Sequence, residues 1–218
     1  MKELSNEQGS SISRPPYRPD LVMGGRDSIG AEVAALGIRP SSPLFDATVS
    51  VIVALEGDHL VAWCGNGGSA SQASHFSAEL MGRFRLNRPP LRSVSLAACP
   101  VVLTSIANDY GYDWVFARQV QGLMRQGDVL IGLTTSGTSR SVVNAMKVGG
   151  AIGVTRIVFT GDVDPTTVAG MGFPDVVVPV PGNSSIAHIQ EEHTKMCHTL
   201  CAVVEDVLFR PKNEGETK

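Results

Sequence analysis

No pair among the four cysteines, Cys64, Cys99, Cys197 and Cys201, forms a C-x-x-C. Cys197 and Cys201 are four residues apart and could share a helix face around a structural zinc. Free cysteine is nonetheless usually a small buried apolar residue, and that is the reading adopted. A basic surplus is also missing. The net charge is −3 over 218 residues, without the electrostatic footprint of a nucleic-acid binder, and no acidic run marks a disordered tail. No apolar stretch approaches the roughly 20 residues needed to span a bilayer. Met1–Asp20 is polar and proline-rich and lacks the apolar core of a signal peptide. The expectation is a reduced, cytoplasmic protein with no nucleic-acid partner and no membrane partner. Internal repeats are absent. What remains is an ordinary globular composition, 43% hydrophobic and 18% charged, long enough for one α/β domain with a real core. An anionic ligand must be held by local donors, since there is no broad positive field.

Residues 1–20 read as a flexible arm, 21–210 as a single folded domain and 211–218 as a flexible tail. Arg26–Leu36 predicts a short helix ended near Gly37. Leu44–Glu56 predicts a longer one, with Leu44, Val49, Ile52, Val53 and Leu55 on one broad face. His59–Cys64 is a compact apolar strand that runs into Gly65–Ser69 and then a helix over Ala70–Gly82. Leu91–Ala97 is a second strand. Val101–Ala107 starts a helix, Asn108–Gly111 reads as a loop, and Trp114–Met124 as helical. Val129–Leu133 is a buried strand, followed by Thr134–Ser139 and a helix over Ser139–Val148. Arg156–Thr160 and Val176–Val180 are further strands, and Ile186–Leu208 a long C-terminal helix. Short apolar strands alternating with helices predict a parallel sheet covered on both faces.

In open parallel sheets ligands sit beyond the carboxyl ends of the strands, and two unusual loops leave strands there. Gly65–Ser69 has glycines that allow positive φ and close backbone approach. It has neither the G-x-G-x-x-G spacing of a dinucleotide site nor a Walker sequence. Thr134–Ser139 carries a hydroxyl on five of six residues and opens a helix, where free N–H groups and the dipole favour an anion. It reads equally as a phosphate cradle without lysine or as a polar loop ending in an N-cap. His75 and Glu79 lie four apart on the helix after the glycine loop and face one side. Such a pair can bind a metal, place a base beside a proton relay, or simply meet solvent. Gln190, Glu191, Glu192, His193 and His198 crowd the last helix; Gln190 and His198 are about 12 Å apart along its axis.

Several stretches together resemble the phosphoheptose isomerases of the sugar-isomerase (SIS) superfamily. They are Cys64–Ser69 (CGNGGS), His75, Glu79, Gly82–Arg85 (GRFR) with Asn87-Arg88-Pro89, Asn108–Gly111 (NDYG), Thr134–Ser139 (TTSGTS), and Ile189–His193 (IQEEH) with His198. The similarity runs in order from about Leu44 to Glu205. It implies a doubly wound, flavodoxin-like parallel sheet (the SIS domain) with an N-terminal helical region and a long C-terminal helix. It also implies a homotetramer with interfacial active sites, and conversion of sedoheptulose 7-phosphate to D-glycero-D-manno-heptose 7-phosphate. By the same resemblance Thr134, Thr135, Ser136 and Ser139 hold the phosphate. Asn66, Gly67, Gly68, Asn108, Asp109, Glu79 and Gln190 contact the sugar chain. His75, Glu79, Gln190 and His198 ligate one Zn2+ per active site, and Glu79 and His198 transfer the proton. A carboxylate taking a carbon proton and an imidazole serving the oxygens suit an enediol reaction.

Thr134 and Thr138 depart from the family's usual Ser and Asn, Ala187 from a frequent Asp, and His188 from a frequent Arg. The rival reading is a non-enzymatic SIS-domain protein that binds a replication initiator, with local likeness in VVLTSIAND (101–109) and FARQV (116–120). A binder needs no acid–base pair, and Glu79 and His198 are both present here. A sugar-phosphate-sensing regulator is a third class, but the region before Leu44 is too short and proline-rich for a DNA-binding module.

Overall fold

The computed structural model describes residues 19–210 apart from 183. Five strands form one parallel sheet: β1 (Val61–Gly65), β2 (Ser93–Ser95), β3 (Val129–Leu133), β4 (Thr155–Thr160) and β5 (Val176–Pro179), in the order β2-β1-β3-β4-β5. This is the doubly wound, flavodoxin-like order expected. All five residues of β1 and of β3 are buried, as their unbroken apolar sequences require of strands covered on both faces. They pair from Val61 beside Val129 to Gly65 beside Leu133. The strand order reverses between them, which puts the switch point at the two loops singled out above.

Side chains alternate across the sheet. Val61, Trp63, Val129, Ile131, Ile157 and Phe159 face one core, which takes in helices α1 (Pro19–Ala35), α2 (Pro43–Glu56), α3 (Gly68–Met81) and α8 (Ile186–Phe209). Ala62, Cys64, Leu130 and Val158 face the other, with α5 (Ala117–Leu123) and α6 (Arg140–Ala151). Trp63 is fully buried, and its indole N–H reaches Ser93 Oγ at 3.0 Å, so its one polar atom is satisfied. Two further helices are α4 (Pro100–Tyr110) and α7 (Pro165–Gly170). Among the described residues no helix is long and apolar enough to cross a membrane.

The structure differs from expectation at several boundaries. α1 begins at Pro19 and includes a break at Gly25 (φ 61°, ψ −159°). The last two residues of the expected arm are thus helical; residues 1–18 and the tail 211–218 lie outside the described residues. β1 begins at Val61 because the Leu60 N–H goes to Asp128 Oδ1 at 2.8 Å. Asn108, Asp109 and Tyr110 are the last turn of α4 and not a loop, since no breaker intervenes before Gly111 at φ 85°. The stretch expected as one helix over Trp114–Met124 divides into a 3₁₀ turn at Tyr112–Trp114 and the short α5. α7 was not expected: it has six residues, opened by Asp164, whose carboxylate accepts from Thr167 N.

Candidate active site

The loops after β1 and β3 are tied together by Asn66. Its Nδ2 donates to Ser139 Oγ at 2.6 Å and to Ser141 Oγ at 2.9 Å, while its Oδ1 accepts from Tyr112 Oη at 2.8 Å. Gly67 follows at φ 54°, ψ −123°, a conformation that disfavours any side chain. A Cβ on Gly68 would lie 2.7 Å from Gln190 Nε2, so glycine is needed there for the α8 amide to pack on the α3 N-terminus. Asn66, Ser69, Leu133, Thr134, Thr135, Ser136, Ser139, Ile186 and Gln190 line a cavity of about 220 Å³. In the same loop the Ser136 and Thr138 hydroxyls meet at 2.9 Å. Ser139 is the residue before α6, yet its side chain does not cap that helix; its oxygen takes the Asn66 bond instead. Ser139 is thus not the side-chain cap of α6 that one of the two readings of this loop expected.

α3 and α8 lie side by side and run in the same direction. Gln72 Nε2 bonds Gln190 O at 2.6 Å and Thr194 Oγ1 at 2.7 Å. One turn further, His75 Nε2 lies 3.0 Å from Glu79 Oε1 and 3.4 Å from His198 Nε2. The ligand atoms of these three residues lie within 4.8 Å of one another. Two ligands at about 2.0–2.1 Å from one zinc in tetrahedral geometry are separated by roughly 3.3 Å, so the two-nitrogen, one-oxygen set fits that ion. Gln190, the fourth expected ligand, has its amide on Gly68, two helical turns before His198. The His198 ring is held between Phe84, stacked at 5.5 Å and 9° between planes, and Phe76, edge-on at 5.1 Å.

Asn108 and Asp109 bond each other at 2.8 Å on the exposed end of α4 and are not brought onto the triad. The Gly111 break delivers Tyr112 to Asn66. Tyr112, Ser141, Gln72 and Phe84 had no assigned role in the sequence reading, although Phe84 stands inside the quoted GRFR stretch. His193, in the same helix as His198, is turned inward. It is fully buried with Nε2 3.1 Å from Thr160 O. Burial pushes its imidazole below the ordinary value, and the bond to Thr160 O only partly opposes this. Cys197 and Cys201 are free and buried, packed in the core, with their thiols pushed up by burial.

Residues 28–161 match the SIS domain family model. The chain is 39% identical over 191 residues to the phosphoheptose isomerase of Alteromonas mediterranea, covering 87% of this chain and 94% of that one. It is also 39% identical to that of Shewanella oneidensis, covering 87% and 95%. Among solved structures, a phosphoheptose isomerase from Neisseria gonorrhoeae superposes with a TM-score of 0.70 at 34% identity, covering 85% of this chain and 96% of that one. One from Francisella tularensis gives 0.72 at 29%, covering 85% and 95%. With the family match over more than half of its length and relatives at 39% identity, the chain belongs to the SIS domain family, among its phosphoheptose isomerases.

Proposed function

We propose that the protein is a ketose–aldose isomerase that converts sedoheptulose 7-phosphate to D-glycero-D-manno-heptose 7-phosphate through an enediol. The observation that carries this reading is the convergence of Glu79 and His198 on His75. A carboxylate and an imidazole from two helices, far apart in sequence, converge on His75 beside a hydroxyl-lined anion cradle. Isomerisation moves one proton between C1 and C2. In this reading Glu79 takes the carbon proton and returns it to the neighbouring carbon, while His198 exchanges the proton between the two oxygens. Thr134, Thr135, Ser136 and Ser139 hold the phosphate by hydrogen bonds and by the N-terminus of α6. Asn66, Gly67 and Gly68 offer polar and backbone contacts to the sugar chain, with Asn108, Asp109 and Gln190 belonging to the same set by resemblance. Zinc held by His75, Glu79 and His198, with Gln190 as the family's fourth ligand, would supply a Lewis acid for the carbonyl and hydroxyl oxygens.

A homotetramer with interfacial sites belongs to the same proposal. α4 has no buried residue, and Val101 is 75% exposed next to exposed Tyr110, Tyr112 and Trp114. Leu103, Ile106 and Ala107 of α4 pack on the core, and the exposed Val101, Tyr110, Tyr112 and Trp114 beside Asn66 support a second copy covering them. Four free thiols, three of them buried, suit action in the reducing cytoplasm. A pure binding role has no use for Glu79 and His198 gathered on His75, which favours the enzyme.

The test is incubation with sedoheptulose 7-phosphate, followed by NMR for new heptose signals. Glu79→Gln and His198→Asn should each lower turnover at least ~10²-fold with folding retained. Near-normal turnover in either variant removes that residue from the mechanism, and no new signal with the native chain refutes the reading.

A further inference from the structure

Glu205 lies two helical turns beyond His198 on α8 and is wholly buried. Its carboxylate accepts from the backbone N–H groups of Phe84 at 2.8 Å, Arg85 at 2.7 Å and Leu86 at 3.0 Å, and from Arg88 Nε at 2.9 Å. Burial alone would raise this carboxyl; the three N–H bonds and the Arg88 charge outweigh it and hold it below the usual range. The Arg88 side chain, 1% exposed, passes the connection on. It donates to the carbonyls of Glu79 at 2.7 Å, Leu80 at 2.8 Å and Gly82 at 3.2 Å. These are carbonyls at the end of α3, where a helix leaves its last acceptors unpaired. The pair therefore fastens the end of the helix that carries Glu79 to the helix that carries His198. The segment it folds also presents Phe84, whose ring lies nearly parallel to the His198 imidazole.

A buried ion pair is a weak device for stability, because apolar side chains of similar volume often serve as well. What distinguishes this one is that its hydrogen bonds, apart from the one Arg88 gives to Pro89 O at 2.9 Å, end on the backbone of the α3 terminus beside Glu79 and of Phe84–Leu86. We propose that Glu205 and Arg88 are positioning residues of the isomerase, acting through Phe84 to hold the His198 ring in register with His75 and Glu79. This rests on the catalytic roles given above to Glu79 and His198. Neither Glu205 nor Arg88 touches substrate.

Three variants test it. Glu205→Gln weakens the acceptor of the four bonds. Phe84→Leu keeps the ion pair and an apolar side chain but removes the ring, and Phe84→Tyr restores the ring. The readouts are kcat and KM for the sugar phosphate, affinity for inorganic phosphate, and the imidazole NMR signals of His198, identified by their loss in His198→Asn. Glu205→Gln and Phe84→Leu should lower kcat about 10- to 100-fold, as small misplacements of reacting groups do. KM and phosphate affinity should stay within about twofold, and the His198 ring signals should lose the shift imposed by the stacked Phe84. Phe84→Tyr should recover both kcat and the shift. Unmoved ring signals in Phe84→Leu, or moved signals with unchanged kcat, overturn the proposal. If Glu205→Gln does not fold, Phe84→Leu decides. If the native chain turns over no heptose phosphate, the catalytic reading fails on its own, while the ring signals still report whether Glu205 positions His198.

Discussion

Ser185 and Ser139 stand at the same place in their helices, the residue before the first turn, with extended backbone (ψ 155° and 108°). Ser185 caps α8: its Oγ accepts the His188 N–H at 3.2 Å. Ser139 does not cap α6 and gives its oxygen to Asn66 instead. The rule that serine before a helix satisfies an orphan N–H therefore holds where only the fold is at stake and gives way where β1 and β3 deliver their loops. Ser42 before α2 and Asp164 before α7 follow Ser185. The α6 terminus trades a side-chain cap for a hydroxyl aimed across the switch point, as the proposed anion site there requires.

The strongest challenge to this contrast is truncation of the cradle hydroxyls. Ser136→Ala and Ser139→Ala should each weaken inorganic phosphate and phosphorylated substrate in parallel, by ~1.5–3 kcal/mol for a hydrogen bond to a charged acceptor. Melting temperature should hardly change, because no helix cap is lost. Calorimetric titration beside a melting curve reads both. A lower melting temperature with intact phosphate affinity would make Ser139 an ordinary cap and erase the difference from Ser185.

A second measurement sharpens the α8 side. His193 is anchored in the core with its folded value below the ordinary imidazole value, so the unfolded chain binds the proton more readily. The stabilisation is present above the ordinary value and is lost as pH falls through it toward the folded value. Melting curves taken downward from about pH 8 should lose stability through the range of an ordinary histidine. His193→Gln should flatten that decline relative to the native chain without changing phosphate affinity at a fixed pH. An unaltered decline would remove His193 as the source.

Much of this was legible in order along the chain. β1 and β3 declare themselves as unbroken apolar runs, and the glycine and hydroxyl loops follow each at the carboxyl end. The i, i+4 relation of His75 and Glu79 survives intact. What was illegible is what depends on neighbours distant in sequence. Nothing in Ser139 says whether Asn66 will claim its hydroxyl. Glu205 reads as one more acid on an amphipathic helix until the Phe84–Leu86 N–H groups turn onto it. The Asn108–Gly111 stretch looked like a loop from its composition, yet Pro100 opens α4 and only Gly111 ends it. α7 is too short to show a period, and the division at Val115–Phe116 is set by both residues turning into the core.

The smallest effect is the most direct comparison of the two serines. Ser185→Ala removes a working cap, and the expected cost is ~1 kcal/mol of stability, or roughly 2–4 °C for a chain of this size. Ser185→Asp should recover it, because a carboxylate accepts the same N–H and meets the positive end of the helix. Phosphate affinity should be unchanged in both, although Ile186, the next residue, lines the same cavity as Ser139. That proximity gives the test its force. If Ser185→Ala weakens phosphate as Ser139→Ala does, the first turn of α8 is part of the cradle and its serine is shared between capping and binding. If it shifts only the melting curve, the Ser185 hydroxyl serves the fold, and the polar groups that α8 brings to the site are Gln190 and His198.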